Sequence, residues 1–89
     1  MDNFLQKVFI EREHKKEVYF NSTKSLRYEV VPKRLYTYEV LLAEKDDNNN
    51  ITVYNLTAPG GNYYSQTTSQ HVGKVVKYLT YAELEFDLV

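Results

Sequence analysis

The chain has 89 residues, 43% of them hydrophobic, and a formal net charge of −1 at neutral pH. This length suits one small core, and we assign residues 1–89 to a single domain. The near-neutral charge argues against a general nucleic-acid coat, which is normally basic, and the absence of cysteine excludes disulfides and thiolate metal sites.

The first segment, residues 2–16, fits two interpretations. A helix beginning at Asp2 or Asn3 would place four apolar side chains on one side. These are Phe4, Leu5, Val8 and Phe9. A strand over residues 7–12 would instead bury every second side chain. The helix is favoured because the charged run after Ile10 is helix-prone and contains no turn residue.

From residue 18 onwards the hydrophobic pattern changes to period two, which predicts strands. The predicted strands are 18–20, 26–30, 35–44, 51–56 and 82–88, with a short extended segment at 63–65. Asp46–Asn50 predicts the turn of a hairpin, because Asn and Asp tolerate left-handed backbone and bond to it locally. Regular alternation with one wet face is typical of antiparallel pairing.

A second helix is predicted over residues 68–79. Thr67 and Gln70 have the spacing of a capping box. Four apolar residues then recur at helical spacing and predict a buried stripe, namely Val72, Val75, Val76 and Leu79. The expected fold is therefore α+β, with an antiparallel sheet of about five strands, one packed helix and the N-terminal helix favoured above.

Hydroxyl groups are concentrated where this helix begins, and they form the first candidate site. A helix N-terminus attracts anions, so these hydroxyls with a histidine and a lysine predict a site for a nucleotide-like anion. The candidate residues are Ser65, Thr67, Thr68, Ser69, His71 and Lys74. The simpler alternative is that one threonine caps the helix and the other hydroxyls satisfy the turn.

Basic and aromatic residues are concentrated over residues 24–38 and form the second candidate site. Tyrosines on a sheet can stack on bases while arginines hold phosphates, which is how many proteins bind single-stranded nucleic acid. The candidate residues are Arg27, Tyr28, Arg34, Tyr36 and Tyr38, with Tyr36 and Tyr38 expected on one face. The alternative is a sheet surface decorated with tyrosines and solvated charges.

An acidic face on the last predicted strand is the third candidate. Glu83, Glu85 and Asp87 alternate with apolar residues, and Tyr63 and Tyr64 could extend the same surface. Such a strip can mimic nucleic-acid phosphates and occupy a basic groove of another protein. The alternative is that these carboxylates only keep an edge strand from pairing with its neighbours.

No catalytic, metal or cofactor motif is recognisable. His14 and His71 are the two histidines, and neither lies in a nucleophile-elbow or zinc-binding pattern. We therefore expect a protein that is not an enzyme and needs neither a metal nor a cofactor.

The N-terminal residues carry neither a basic leader nor an apolar core, and no apolar run has the length of a membrane span. Three Asn-x-Ser/Thr triplets occur, but without a secretory signal they indicate an Asn-rich composition and not glycan sites. We expect a cytoplasmic protein without membrane contacts.

Residues 35–79 resemble a family of very small proteins encoded by bacteriophages. The family has a Tyr-x-Thr/Tyr-x-Val strand, a short hairpin and a Tyr-Ser-x-Thr-Thr-Ser-x-His segment that opens a helix. The matching residues are Tyr36, Tyr38 and Val40, followed by Tyr64, Ser65, Thr67, Thr68, Ser69 and His71. The resemblance implies a phage origin, hence the host cytoplasm, and implies no activity.

Small size, abundant tyrosine and this resemblance together predict a phage-type protein that acts by binding and inhibits a host or host-defence protein. The expected state is a monomer or a homodimer. Sequestration of a nucleotide-like anion at Thr67–His71 and single-strand nucleic-acid binding are the two alternatives.

Overall fold

The structure is a computed structural model that describes residues 3–11, 13–56 and 66–89. The elements in chain order are α1 (Asn3–Phe9), β1 (Val18–Phe20), β2 (Leu26–Glu29), β3 (Arg34–Thr37), β4 (Val40–Lys45), β5 (Ile51–Val53), α2 (Gln66–Tyr81) and β6 (Phe86–Leu88). The predicted extended segment 63–65 lies outside the described residues. Among the residues that are described, no helix is long and apolar enough to cross a membrane.

The six strands found in the described residues form one sheet in the order β1-β2-β3-β4-β5-β6. Neighbouring strands are antiparallel except β5 and β6, which are parallel. The predicted α+β class is confirmed, but the sheet has six strands and not about five, and both helices are present. The N-terminal helix that was favoured over a strand is therefore present, but it ends at Phe9, and the charged run after Ile10 that favoured it is not helical where it is described.

The single strand predicted over 35–44 is wrong. β3 and β4 are two strands of a hairpin in which Thr37 lies opposite Val40, and Tyr38 and Glu39 form the turn. Tyr38 has a φ of 53°, in the left-handed region that favours glycine or asparagine. The turn was missed because neither of its residues is a typical turn former.

The C-terminal strand is shorter than predicted and pairs differently. α2 continues to Tyr81, and the residues after it close the helix before β6 begins at Phe86. β6 runs parallel to β5, with Ile51 opposite Phe86 and Val53 opposite Leu88. Antiparallel pairing was wrong here because α2 forms the crossover between the two strands, which lets them run in one direction.

One face of the sheet and both helices enclose the core. Paired positions on neighbouring strands, such as Tyr28 with Leu35, turn their side chains to the same side. α1 contributes the four apolar residues predicted for it, and all four are buried. The two helices also contact each other, since the ring centres of Phe9 and Tyr78 lie 6.5 Å apart in a stacked arrangement.

The buried stripe of α2 differs from the prediction in two places. Its buried residues are Thr68, Val72, Val75 and Leu79, whereas Val76 is only half-buried. The helix begins at Gln66, so Thr67 stands inside the first turn and not before it. The capping box predicted for Thr67 and Gln70 is therefore wrong in its position.

Candidate functional site

An acidic groove lies between the β4–β5 turn and the segment that leads into β6. The groove has a volume of about 910 Å³. Four carboxylates and several polar or apolar side chains line it: Asp46, Asn49, Asn50, Ile51, Thr52, Glu83, Leu84, Glu85, Phe86 and Asp87. No described lysine or arginine lines the groove, so its surface is negative.

The turn side of the groove is held in shape by Asp46. Its carboxylate accepts hydrogen bonds from the backbone N–H groups of Asn48 and Asn50, both at 2.8 Å, and from the Asn50 side chain at 2.9 Å. These bonds, that from the Asn50 side chain first, hold the pKa of Asp46 below its ordinary value. The predicted Asn- and Asp-rich turn is thus confirmed, and Asp46 is charged at neutral pH.

The other side of the groove begins at the C-terminus of α2. The N–H of Glu83 donates to the carbonyl of Thr80 (3.1 Å), and the N–H of Leu84 donates to that of Leu79 (3.0 Å). This pair of bonds is a Schellman motif, which ends a helix with a residue in left-handed conformation. Glu83 occupies that position with a φ of 58°, and its side chain is exposed.

β6 supplies the rest of this side and is an edge of the sheet. The backbone N–H of Val89 donates to the carbonyl of Val53 (2.9 Å), and the carbonyl of Val89 accepts from the N–H of Asn55 (2.8 Å). Because alternate residues of a parallel strand bond to the same neighbour, the backbone groups of Phe86 and Leu88 point to the open edge. No described strand pairs with that edge. Glu85 and Asp87 are exposed beside it, as predicted, but Leu88, which the alternation placed on the buried side, is also exposed.

The groove carboxylates are spread along its length and do not form a metal site. Within the described ranges, no three His, Asp or Glu side chains come close enough to hold a metal ion. Spread carboxylates suit an extended basic surface better than a single cation.

The residues of the predicted anion site point in different directions. Thr68 is buried in the core, whereas Thr67 and Lys74 are exposed, and Ser65 lies outside the described residues. His71 turns towards the sheet, where its Nδ1 lies 2.8 Å from the Thr37 hydroxyl oxygen. Ser69, the remaining member of the set, is half-buried. The described members therefore do not converge on one point.

His71 belongs instead to a hydrogen-bonded polar cluster at the end of the β1–β2 and β3–β4 hairpins. Its Nε2 lies 3.5 Å from the Ser25 hydroxyl, which in turn lies 2.8 Å from that of Thr23. Burial, with a smaller effect of the Lys74 charge, lowers the pKa of His71. Sequence reasoning missed Ser25 and Thr37, because the contact joins residues 46 and 34 positions apart.

This cluster has the residue types of a nucleophile and a base, but no described carboxylate or amide hydrogen-bonds to His71 as the third group of a hydrolytic triad would. The residue that orients the imidazole is Thr37, a hydroxyl, where such triads use a carboxylate or an amide. Thr37 is fully buried, and Ser25 is nearly so. In this arrangement His71 forms hydrogen bonds with the hydroxyls of Ser25 and Thr37 between α2 and the sheet.

The second candidate site is divided between the two faces of the sheet. Tyr28 is 1% exposed and lies in the core, so a surface on the outer face would not include it. Tyr38 lies in the β3–β4 turn and not in the strand, so the expectation that it shares a strand face with Tyr36 is wrong. Its ring packs near that of His71, 6.3 Å away.

The three remaining members lie together on the outer face, and their charges are balanced. The Arg27 guanidinium stacks over the Tyr36 ring at 4.6 Å and lies 3.5 Å from the Glu29 carboxylate. Arg34 lies 3.4 Å from Glu44. Two arginines and two glutamates make this face nearly neutral, which is a poor surface for phosphates.

Of the five residues predicted for a protein interface, Glu83, Glu85 and Asp87 line the groove, and Tyr63 and Tyr64 lie outside the described residues. Sequence reasoning missed Asp46, whose local turn signal was clear but whose approach to β6 depends on the parallel β5–β6 pairing. Comparison with family models, curated proteins and solved structures finds no match for this chain.

Proposed function

We propose that this chain is a phage-type binding protein that inhibits a host or host-defence protein by occupying its basic, nucleic-acid-binding surface with the acidic groove. The groove presents the carboxylates of Asp46, Glu83, Glu85 and Asp87 without a described basic residue among them. Carboxylates spread in this way offer a basic surface the same charge that a phosphate backbone would offer. The phage origin rests on the resemblance of residues 35–79.

The observation that carries the proposal is the position of Glu83. A left-handed residue at the end of a helix is usually glycine, because other side chains are strained there. A negative charge at a helix C-terminus is also repelled by the helix dipole. Glu83 is therefore unfavourable for stability on both counts. We infer that Glu83 serves function through the charge it presents in the groove, since strained residues cluster at functional sites.

The open edge of β6 supports the same surface. Exposed backbone groups at Phe86 and Leu88 can accept a strand from a partner, and Leu88 is 50% exposed beside them. Glu85 and Asp87 flank this edge, so a partner strand that carries lysine or arginine would satisfy both the backbone and the charges. The groove and the edge together define one binding surface.

Affinity capture from a bacterial host lysate tests the proposal. The parent protein and a Glu83→Gln/Glu85→Gln/Asp87→Asn variant are used as baits. We expect the parent to retain one nucleic-acid-binding protein and the variant to lose it, because the variant removes charge with little change in size. The retained protein should elute with increasing salt.

A matched control removes three exposed carboxylates that do not line the groove, through Glu13→Gln, Glu17→Gln and Glu39→Gln. This control should capture the same protein as the parent. Equal capture by the groove variant, or a parent that retains no protein, would contradict the proposal. Capture that is lost only on mutating Arg27 and Arg34 would also contradict it, because the captured protein would then bind the outer face.

A further inference from the structure

A separate cavity of about 430 Å³ lies between the C-terminus of α1 and one end of the hairpins. This end is the one opposite His71. This volume is in the range of small-molecule sites. Apolar and aromatic side chains form most of its wall: Phe9, Ile10, Tyr28, Val30, Ile51 and Leu84. The remaining lining residues are polar or charged and include Lys33 and Lys45.

Lys45 is the notable charge in this cavity. It lies in β4 on the core side, paired with Ile51 across the strands, and its ammonium group lies 5.4 Å from the centre of the Tyr28 ring. Its Nζ donates to the carbonyl of Val8 at 2.6 Å. This contact satisfies a free carbonyl at the end of α1. It uses one of the three N–H donors of the ammonium group.

Lys45 lacks a carboxylate partner in the described part of the chain, whereas the charge of Lys33 acts on the carboxylate of Asp46. Neither Lys33 nor Lys45 forms an ion pair with a described acidic residue, and Glu11 on the cavity wall lies beyond ion-pairing distance of both. Half-buried charge without a counterion is costly, so buried charges are normally paired. Burial, and then the neighbouring Lys33, lowers the pKa of Lys45, which is the expected effect of this arrangement.

We propose that this cavity binds a small carboxylate with an apolar tail, with Lys45 and Lys33 holding the carboxylate and the apolar wall holding the tail. The positive charge of the lysines favours an anionic ligand. The mainly apolar lining favours an anion with an apolar tail over a fully polar anion. This site is distinct from the acidic groove in charge and would serve a different ligand, although Asn49, Ile51 and Leu84 border both.

Calorimetric titration of the full chain with octanoate tests this site. Octylammonium, which has the same tail and the opposite charge, and acetate, which lacks the tail, are the comparison ligands. We expect saturable binding of octanoate, with both comparison ligands at least about tenfold weaker. Equal affinity for octanoate and octylammonium, or absence of saturable octanoate binding, would overturn the proposal.

Variants of the two lysines locate the binding. Lys45→Met should weaken octanoate binding at least about tenfold, because it removes a charged donor and keeps a similar length. Since Lys45 also bonds to α1, Lys33→Met provides a second test that leaves this bond intact, and it should weaken binding several-fold. The control is Lys77→Met on the exposed face of α2. Octanoate affinity that is the same in Lys33→Met and Lys77→Met would contradict the assignment.

Discussion

At the scale of single residues, left-handed backbone conformations occur where the sequence has no glycine. Lys24, Lys33, Tyr38, Asn49 and Glu83 all have a φ between 53° and 71°. Asn49 is a residue that tolerates this conformation, and it lies in the turn that the sequence predicted. The others are strained, and Glu83 is the one that also places a charge in the acidic groove.

Glu83→Gly should therefore raise the free energy of unfolding, by about 1 kcal/mol, because it relieves the left-handed strain and removes a charge from the helix C-terminus. Thermal and urea unfolding would measure the change. The same variant should weaken capture of the partner. Lys24→Gly, at another strained and exposed position, is the control and should stabilise without any effect on capture. A destabilised Glu83→Gly variant would show that the strain argument is wrong.

The lowered pKa of His71 makes stability depend on pH. The unfolded chain takes up a proton at the ordinary histidine pKa of about 6.5, whereas the native protein takes it up only at a lower pH. The free energy of unfolding should therefore fall as the pH decreases from about 7.5 towards 5.5. NMR titration of the imidazole would give a midpoint below 6.5, and Lys74→Met should raise it. A midpoint at or above 6.5 would contradict the burial of His71.

At the scale of the elements, α2 has two roles, since it packs on the core and forms the crossover from β5 to β6. Its apolar period was readable from the sequence because burial on one side repeats every three or four residues. The C-terminal end of α2 was not predictable, because it depends on the Schellman motif. Glu83 stands there in place of the glycine that usually signals this motif.

The buried face of α2 can be tested by charge insertion. Val75→Asp should unfold the domain, because Val75 is fully buried and an unpaired charge there has no partner. Val76→Asp should cost less, since that side chain is half-buried, and Lys77→Asp on the exposed face should leave the melting temperature nearly unchanged. Circular dichroism during heating would rank the three variants. A Lys77→Asp variant less stable than Val75→Asp would mean that the helix is rotated from its described position.

At the scale of the whole molecule, the sequence predicts individual strands better than it predicts how the strands are connected and paired. Alternation correctly predicted that β2 and β5 are strands, because each has one core face, with Leu26 and Tyr28 buried in β2 and Ile51 and Val53 buried in β5. The β3–β4 turn and the direction of β6 were missed, since they depend on a strained turn and on a crossover through α2. Local pattern contains neither kind of information.

The candidate site was predictable only in part, because some of its residues lie within one segment and others come together only in the fold. Glu83, Glu85 and Asp87 could be found as an acidic alternation within one segment. Asp46 and the lysine-lined cavity could not, because each depends on which segments the topology brings together. The hydroxyls near the start of α2 looked like one site in the sequence, yet helical geometry sends Thr67 and Thr68 to different environments.

NMR titration of the isotope-labelled protein tests most directly whether the acidic groove is the binding surface. The two probes are a lysine-rich peptide and a single-stranded oligothymidylate, each added at low and at moderate salt. We expect saturable, salt-sensitive amide shifts with the peptide at residues 46–52 and 83–88, and no comparable shifts with the oligonucleotide. Shifts with the oligonucleotide around Arg27, Arg34 and Tyr36, with none from the peptide in the groove, would contradict it.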